Sequence, residues 1–100
     1  MVYFWYRFEY DTAKSAANRS KHGISLEQAQ QLWGGPSVTV AARSIDEERW
    51  MIIGRIESRL YSCVYTERGN VIRLISARRS RENEERIYHE QIQKNIRGEF

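Results

Sequence analysis

The feature of this sequence that most constrains its fold is a change in the spacing of its apolar residues. Across residues 12–34 they recur at helical spacing, whereas across residues 38–77 they follow a period close to two. The second pattern predicts strands over residues 38–42, 49–56, 60–66 and 71–77, and the last three are separated only by short turns. Such a series of short-turn connections is typical of an antiparallel meander.

The helices are predicted from their capping residues. Asp11 is a suitable N-cap for a helix over residues 12–21, and Gly23 is placed to end it in the left-handed conformation. Ser25 and the glutamine three positions later form a capping-box pattern for a second helix over residues 25–34. Acidic residues after Ser80 crowd the first turn of a closing helix, where they complement its dipole. Residues 2–9 are rich in aromatic side chains and suit a first strand. The sequence therefore predicts an α+β domain with an antiparallel sheet, two N-terminal helices and one C-terminal helix.

Length and composition narrow the class of protein. One hundred residues with 41% hydrophobic content suit a single domain over residues 1–100 with one core. No apolar run approaches the ~20 residues of a membrane span, and the N-terminus lacks the pattern of a secretory signal. The one cysteine, Cys63, cannot form an intrachain disulfide. We therefore expect a protein of the reducing cytoplasm that does not bind membranes.

The positive charge of the chain lies mostly on arginine. The net charge is +3, and thirteen of the sixteen basic residues are arginine. Arginine presents a planar fork of donors that suits phosphate, although it also forms ordinary surface ion pairs. His22, His89 and Cys63 have no metal-ligand spacing, and Gly34-Gly35 is not followed by the lysine of a phosphate-binding loop. The sequence therefore predicts no metal and no cofactor.

Two arginines interrupt apolar strands. Arg73 alternates away from its apolar neighbours in the last predicted strand, and Arg55 does so in the strand over residues 49–56. An arginine in a central strand is costly to bury without a partner. Either Arg73 pairs with a glutamate such as Glu67, or it faces an anion on an open, concave surface.

Further candidates are the groups around the ends of the helices. Three arginines mark the turn from the last strand to the closing helix: Arg78, Arg79 and Arg81. Strand alternation predicts that Arg79 points away from Arg78. Arg79 is instead a candidate for a salt bridge with the closing helix. Three residues are candidates to transfer protons: Lys21, His22 and Tyr88. The alternatives are a solvated basic turn for the arginines, a favourable helix end for Lys21 and His22, and the core for Tyr88.

Several motifs along the chain resemble those of one protein family. They are Phe8-Glu9-Tyr10-Asp11 followed by Lys14, Asn18, Lys21-His22-Gly23 and Ser25; Arg49 with Ile53-Gly54-Arg55; Tyr65-Thr66-Glu67-Arg68-Gly69; Ile72-Arg73-Leu74-Ile75-Ser76-Ala77-Arg78-Arg79; and Glu85-Arg86 with Tyr88. Together they resemble the BrnT family of toxins across roughly residues 8–90, with the motifs in the family's order.

The resemblance implies a bacterial type II toxin with a RelE-like fold. It implies a metal-independent endoribonuclease that inhibits translation and is neutralised by a BrnA-like ribbon-helix-helix antitoxin, the complex of the two binding operator DNA. RNA carries its own nucleophile, the 2′-OH, so such an enzyme leaves a 2′,3′-cyclic phosphate and a 5′-OH. Arg73, Arg78 and Arg55 would face the reacting phosphate, His22 or Tyr88 would move protons, and Lys21, Arg79 and Arg81 would bind RNA.

Two other functions agree with the same residues. One is a non-catalytic module that binds nucleic acid or protein through the same basic face. The other is a structural subunit whose arginines pair with an acidic partner. Steep weakening of RNA binding with salt would separate phosphate contacts from the latter.

Overall fold

The computed structural model describes residues 7–96 and Gly98. In chain order its elements are β1 (Arg7–Glu9), α1 (Thr12–His22), α2 (Leu26–Ala29) followed by a 3₁₀ segment (Gln30–Gly34), β2 (Ser37–Ala42), β3 (Arg49–Ile56), β4 (Arg59–Arg68), β5 (Val71–Arg79) and α3 (Glu82–Ile96). The predicted strand over residues 2–9 is observed in its last three residues, and residues 2–6 lie outside the described part of the chain.

The five strands form one mixed sheet in the order β1-β5-β4-β3-β2. Strands β2 to β5 are joined antiparallel, so the predicted meander and the α+β class are confirmed. The sheet differs from the prediction only at β1, which pairs parallel to β5, with Phe8 opposite Ile72. No hairpin turn sets the direction of β1, because it comes first in the chain and lies beside the last strand.

The N-terminal helices begin where their capping residues predict, and α1 ends at Gly23 as expected. The second predicted helix, over residues 25–34, is α-helical only over Leu26–Ala29 and continues as the 3₁₀ segment. The Asp11 carboxylate accepts a hydrogen bond from the backbone N–H of Lys14 at 3.0 Å, and Gly23 ends α1 with a φ of 76°. Ser25 and Gln28 form both hydrogen bonds of a capping box at the start of α2.

One side of the sheet, the α2 face, carries the larger core. Its fully buried members come from the α2 region and from β3, β4 and β5: Ile24, Leu26, Ala29, Leu32, Ile52, Cys63, Ile72, Leu74 and Ala77. A Cβ atom added to Gly54 would lie 3.2 Å from Leu32 and 3.4 Å from the Pro36 carbonyl oxygen. The glycine in β3 therefore allows the 3₁₀ segment to lie close to the sheet.

The other side, the α3 face, is covered only in part by residues 7–96. Tyr88 packs in a small core with Val38, Ile53 and Leu60, at the end of the sheet where β2 begins. Toward the opposite end of this face Ser76 and Glu9 are exposed. None of the described helices is long and apolar enough to cross a membrane.

A β-bulge in β5 decides which side chains share the α3 face. Val64 pairs with Ser76 and Tyr65 with Leu74, so Ile75 has no partner residue on β4. Without this extra residue, alternation would place Arg73 and Arg78 on opposite sides of the sheet. Because of it, Arg73 (opposite Thr66) and Arg78 (opposite Ser62) both lie on the α3 face.

Candidate functional site

The uncovered part of the α3 face carries a row of polar side chains, which we call the open face. Four neighbouring strands contribute it. Arg73 of β5 pairs with Glu9 of β1 on one side and with Thr66 of β4 on the other. Arg49 of β3 follows in the same row, one position beyond the pair formed by Trp50 and Tyr65. The row Glu9–Arg73–Thr66–Arg49 thus crosses four strands near one end of the sheet.

Arg73 is only half-buried and is held by a carboxylate. Its Nη1 donates to Glu9 Oε1 at 3.3 Å, and the two side chains are 43% and 49% exposed. Glu67, considered as its partner from the sequence, pairs in register with Ile72 and so lies on the α2 face. An exposed pair of this kind contributes at most about 1 kcal/mol to stability, and the contact uses one of five guanidinium donors. Arg73 is therefore available to an anion.

Arg49 and Arg68 share a second carboxylate. Glu47, from the loop between β2 and β3, accepts from Arg68 Nη2 at 3.0 Å. The same carboxylate lies 3.9 Å from Arg49 Nε, beyond hydrogen-bond distance. That Nε is buried and makes no hydrogen bond. The three arginines at this end of the face are thus accompanied by the carboxylates of Glu9 and Glu47, and Asp11 also interacts electrostatically with Arg73.

Arg78 forms a two-fold hydrogen-bonded pair with a buried glutamate. Its Nη1 and Nη2 donate to Glu84 Oε1 at 2.7 Å and Oε2 at 2.8 Å. Ser62 and the backbone N–H of Arg81 also donate to Glu84 Oε1. The salt bridge to the closing helix that was predicted for Arg79 is therefore formed by Arg78, because Arg78 lies on the face against which α3 packs. Arg79 lies opposite Tyr61 on the other face and is exposed.

The Glu84 carboxyl group is strongly acidic in this setting. Burial alone would raise its pKa, but hydrogen bonds from Arg78, the Arg81 backbone and Ser62 outweigh burial and bring the pKa to about 2. The pair is therefore ionised at neutral pH and attaches the start of α3 to β4 and β5.

Arg55 lies on the same face but at the other end of the sheet. It pairs with Leu60, six residues along β4 from the partner of Arg73, which separates the two by about 20 Å. Its Nη1 donates to the Ser58 carbonyl at 3.4 Å across the β3–β4 turn. The structure therefore places all three predicted arginines on one face without bringing Arg55 and Arg73 to one phosphate.

The structure does not bring the candidate proton carriers together. Tyr88 is buried in the small core under α3. Lys21 and His22 are exposed at the end of α1, which packs on β5 and α2, whereas α3 packs on β2 and β3. Arg81 is exposed just before α3, and its backbone N–H donates to Glu84.

Three residues of the open face were absent from the sequence-based candidates: Glu9, Thr66 and Arg49. Arg49 belongs to one of the family motifs and is an arginine at the start of an apolar strand. Glu9 also belongs to a family motif, but its position beside Arg73 was not predictable, because it depends on parallel pairing between the first and last strands.

The remaining nucleophile and ligand candidates lie elsewhere. Burial raises the pKa of the Cys63 thiol to about 12, so it is no nucleophile at neutral pH. Within residues 7–96 and Gly98, no three His, Cys, Asp or Glu side chains are grouped so as to hold a metal ion.

Comparison with known proteins identifies the family. The family model described as "Ribonuclease toxin, BrnT, of type II toxin-antitoxin system" matches residues 10–84, about three quarters of the chain. The match includes Arg49, Thr66 and Arg73 and ends at Glu84, while Glu9 lies one residue before it. No curated protein sequence matches the chain significantly. With three quarters of its length matched, including most of the open face, this chain belongs to the BrnT family of ribonuclease toxins of type II toxin–antitoxin systems.

Proposed function

We propose that the protein is a metal-independent endoribonuclease that binds and cleaves RNA on the open face. The observation that carries this proposal is the half-exposed Arg73 beside the carboxylate of Glu9, on the part of the sheet that α3 leaves uncovered. A guanidinium can bind the scissile phosphate and offset the charge that develops on its oxygens. A carboxylate beside it can accept a proton.

The reaction follows from these two groups and from the RNA itself. Arg73 holds the phosphate in line with the neighbouring 2′-OH. The proton of the 2′-OH passes to the Glu9 carboxylate as the 2′-oxygen forms a bond to phosphorus. The bond from phosphorus to the 5′-oxygen breaks, and this oxygen takes a proton from water. The products are a 2′,3′-cyclic phosphate and a 5′-OH.

The other candidate residues take supporting roles in this proposal. Arg78 positions α3 through Glu84, and Arg55 and Arg81 contact phosphates of flanking nucleotides. Arg79 and Lys21 take no part in this site, because Arg79 lies on the other face of the sheet and Lys21 ends α1, which packs on β5 and α2. Tyr88 does not carry a proton, because its side chain, on the inner side of α3, is buried in the small core. His22 does not act on the same 2′-OH, since α1 begins three residues after Glu9 and carries His22 about 15 Å along its axis from that start.

The cellular role proposed here follows from family membership. The family's description implies an antitoxin as partner and RNA as target. We propose that cleavage in the cytoplasm inhibits translation and that a BrnA-like ribbon-helix-helix antitoxin covers the open face. The complex would then bind operator DNA through the antitoxin alone.

The direct test is incubation of the purified protein with a mixed-sequence single-stranded RNA, with and without EDTA. We expect cleavage at the same rate in both samples, and products that end in a 2′,3′-cyclic phosphate and a 5′-OH. Salt-sensitive binding without cleavage would instead indicate a non-catalytic nucleic-acid-binding module. Cleavage abolished by EDTA would contradict metal independence.

A further inference from the structure

Arg49, on the β3 side of the open face, is held by fewer hydrogen bonds than Arg68 and Arg73. Arg49 is 38% exposed at its side chain, yet its Nε is buried and makes no hydrogen bond. An unpaired buried donor is costly, and most such groups in folded proteins have a partner. The nearest carboxylate, that of Glu47, lies 3.9 Å away and is hydrogen-bonded to Arg68 instead. Because the side chain is partly exposed, the terminal Nη donors of Arg49, rather than its buried Nε, are available for an external acceptor.

Arg49 and Arg73 lie on the two strands that flank β4, at the same level, and only Thr66 lies between them. Both lie on the α3 face, on β3 and β5, and Thr66 of β4 is buried between them. Neighbouring strands are about 4.8 Å apart, so the two Cα atoms are separated by about 10 Å. Two arginine side chains can span that gap from both sides, whereas Thr66 is too short to fill it. The Thr66 hydroxyl is itself occupied, because it donates to the Glu48 carbonyl at 2.9 Å.

We propose that Arg49 and Arg73 bind one RNA phosphate between them above Thr66, and that Glu47 is the internal anion that RNA displaces near Arg49. This inference rests on the proposed RNA-binding role of the open face and names a second arginine at the same phosphate. A phosphodiester offers acceptors to both guanidinium groups at once, which neither Glu9 nor Glu47 does. The ligand class is single-stranded RNA, recognised through its backbone.

The test measures how RNA binding depends on salt. The probe is a single-stranded 2′-O-methyl RNA oligonucleotide, which cannot be cleaved because its nucleophile is blocked. Each phosphate contact contributes about 0.7 to the slope of log affinity against log salt for single strands. If the two arginines share one phosphate, only one phosphate contact can be lost, so the double variant lowers the slope by about 0.7 in all and neither single variant lowers it by more than that.

Binding strength gives a second readout. Arg49→Ala should weaken binding by about tenfold or more, since hydrogen bonds to charged groups are among the stronger ones. Arg49→Lys should keep the slope and still bind more weakly, because the fork is lost. Arg43→Ala is the matched control: it removes the same charge from an exposed residue in the neighbouring loop and should leave the slope nearly unchanged.

Glu47→Gln keeps the inference testable if Arg49→Ala does not fold. Removing the internal anion should tighten binding of the same oligonucleotide severalfold. Glu48→Gln is its control, because it removes an equal charge from the adjacent, exposed side chain.

Three outcomes would overturn the inference: a slope that falls by about 1.4 in the double variant, an Arg49→Ala protein that binds like the wild type, or a Glu47→Gln protein that binds no more tightly than Glu48→Gln. Loss of the proposed ribonuclease function would be recognised separately. In that case unmodified RNA would stay intact with the wild-type protein, while the shared-phosphate slopes would still be measured on the modified strand.

Discussion

At the residue scale, Glu9 and Arg73 depend on each other's position. The pair forms because β1 lies parallel beside β5 with Glu9 in register with Arg73. Strand alternation around Arg73 is enough to predict that it faces away from the core. The identity of its partner is not predictable in this way, since the partner is 64 positions away along the chain.

Replacing Glu9 by glutamine tests its role as proton acceptor. Glu9→Gln keeps an oxygen that can accept from Arg73 but removes the basic carboxylate. We expect RNA cleavage to slow by about 10²–10⁴-fold, while the melting temperature and RNA binding are maintained. Glu67→Gln is the matched control, because Glu67 lies on the opposite face two strands away from Glu9. Equal cleavage by Glu9→Gln and wild type would show that another group takes the proton.

Glu57 in the turn between β3 and β4 has an unfavourable backbone conformation. Its φ is 58°, a left-handed value that glycine adopts without a steric penalty. Glu57→Gly should therefore stabilise the protein by about 0.5–1 kcal/mol, seen as a higher midpoint in urea unfolding. Ser58→Gly, the control, should destabilise it, since Ser58 is not among the residues of positive φ. A lower midpoint for Glu57→Gly would contradict the account.

At the element scale, α3 is attached to β4 and β5 at its first turn. Glu84 joins β4, β5 and the start of the helix by hydrogen bonds from Ser62, Arg78 and Arg81. The acidic first turn was readable from the sequence as a helix start. The sequence does not show which of these acids is buried, because that depends on the bulge at Ile75. A single extra residue in a strand leaves no sequence pattern of its own.

Loss of the Glu84 carboxylate should destabilise the protein. Glu84→Gln leaves Arg78 without a charged partner, and breaking a buried pair in this way costs about 3 kcal/mol. For a domain of this size the melting temperature should fall by on the order of 15 °C. Glu82→Gln, an exposed change in the same turn, should lower it by only a few degrees. Similar melting temperatures for the two variants would contradict the anchoring role.

The same pair predicts how stability depends on acid. The pKa of Glu84 is about 2 in the folded protein, below the ordinary value of 4.5. Its contribution is therefore complete above about pH 4.5 and is lost as the pH falls toward 2. In thermal melts from pH 7 to pH 2, the advantage of the wild type over Glu84→Gln should shrink through this window. A constant difference would show that Glu84 does not titrate as described.

At the scale of the whole molecule, two cores of unequal size leave part of one sheet face uncovered by the described residues. The larger core under α2 was foreseeable from the periods and capping residues of the sequence. The crossing of α3 over the β2 end was not, because helical spacing shows which side of a helix is apolar but not where on a sheet it packs. That placement covers the end of the face near Arg55 and leaves the end with Arg73 open for a ligand.

The open face also predicts how toxicity and its relief should behave in cells. Expression of the chain alone should arrest bacterial growth, and co-expression of the cognate antitoxin should restore it. Arg73→Ala should abolish the arrest without abolishing antitoxin capture, since binding of a protein partner extends over many more residues than one. Normal growth of cells that accumulate folded wild-type protein without any antitoxin would contradict the proposed toxicity.

The most direct test of the central claim is an RNA cleavage time course of Arg73→Ala beside Arg79→Ala. Both variants lose one arginine from β5, but only Arg73 lies on the open face. We predict that Arg73→Ala slows cleavage by about 10²–10³-fold or more while its melting temperature stays within a few degrees of the wild type. Arg79→Ala should retain most of the activity. Wild-type cleavage by a folded Arg73→Ala protein would contradict the claim that the open face is the active site.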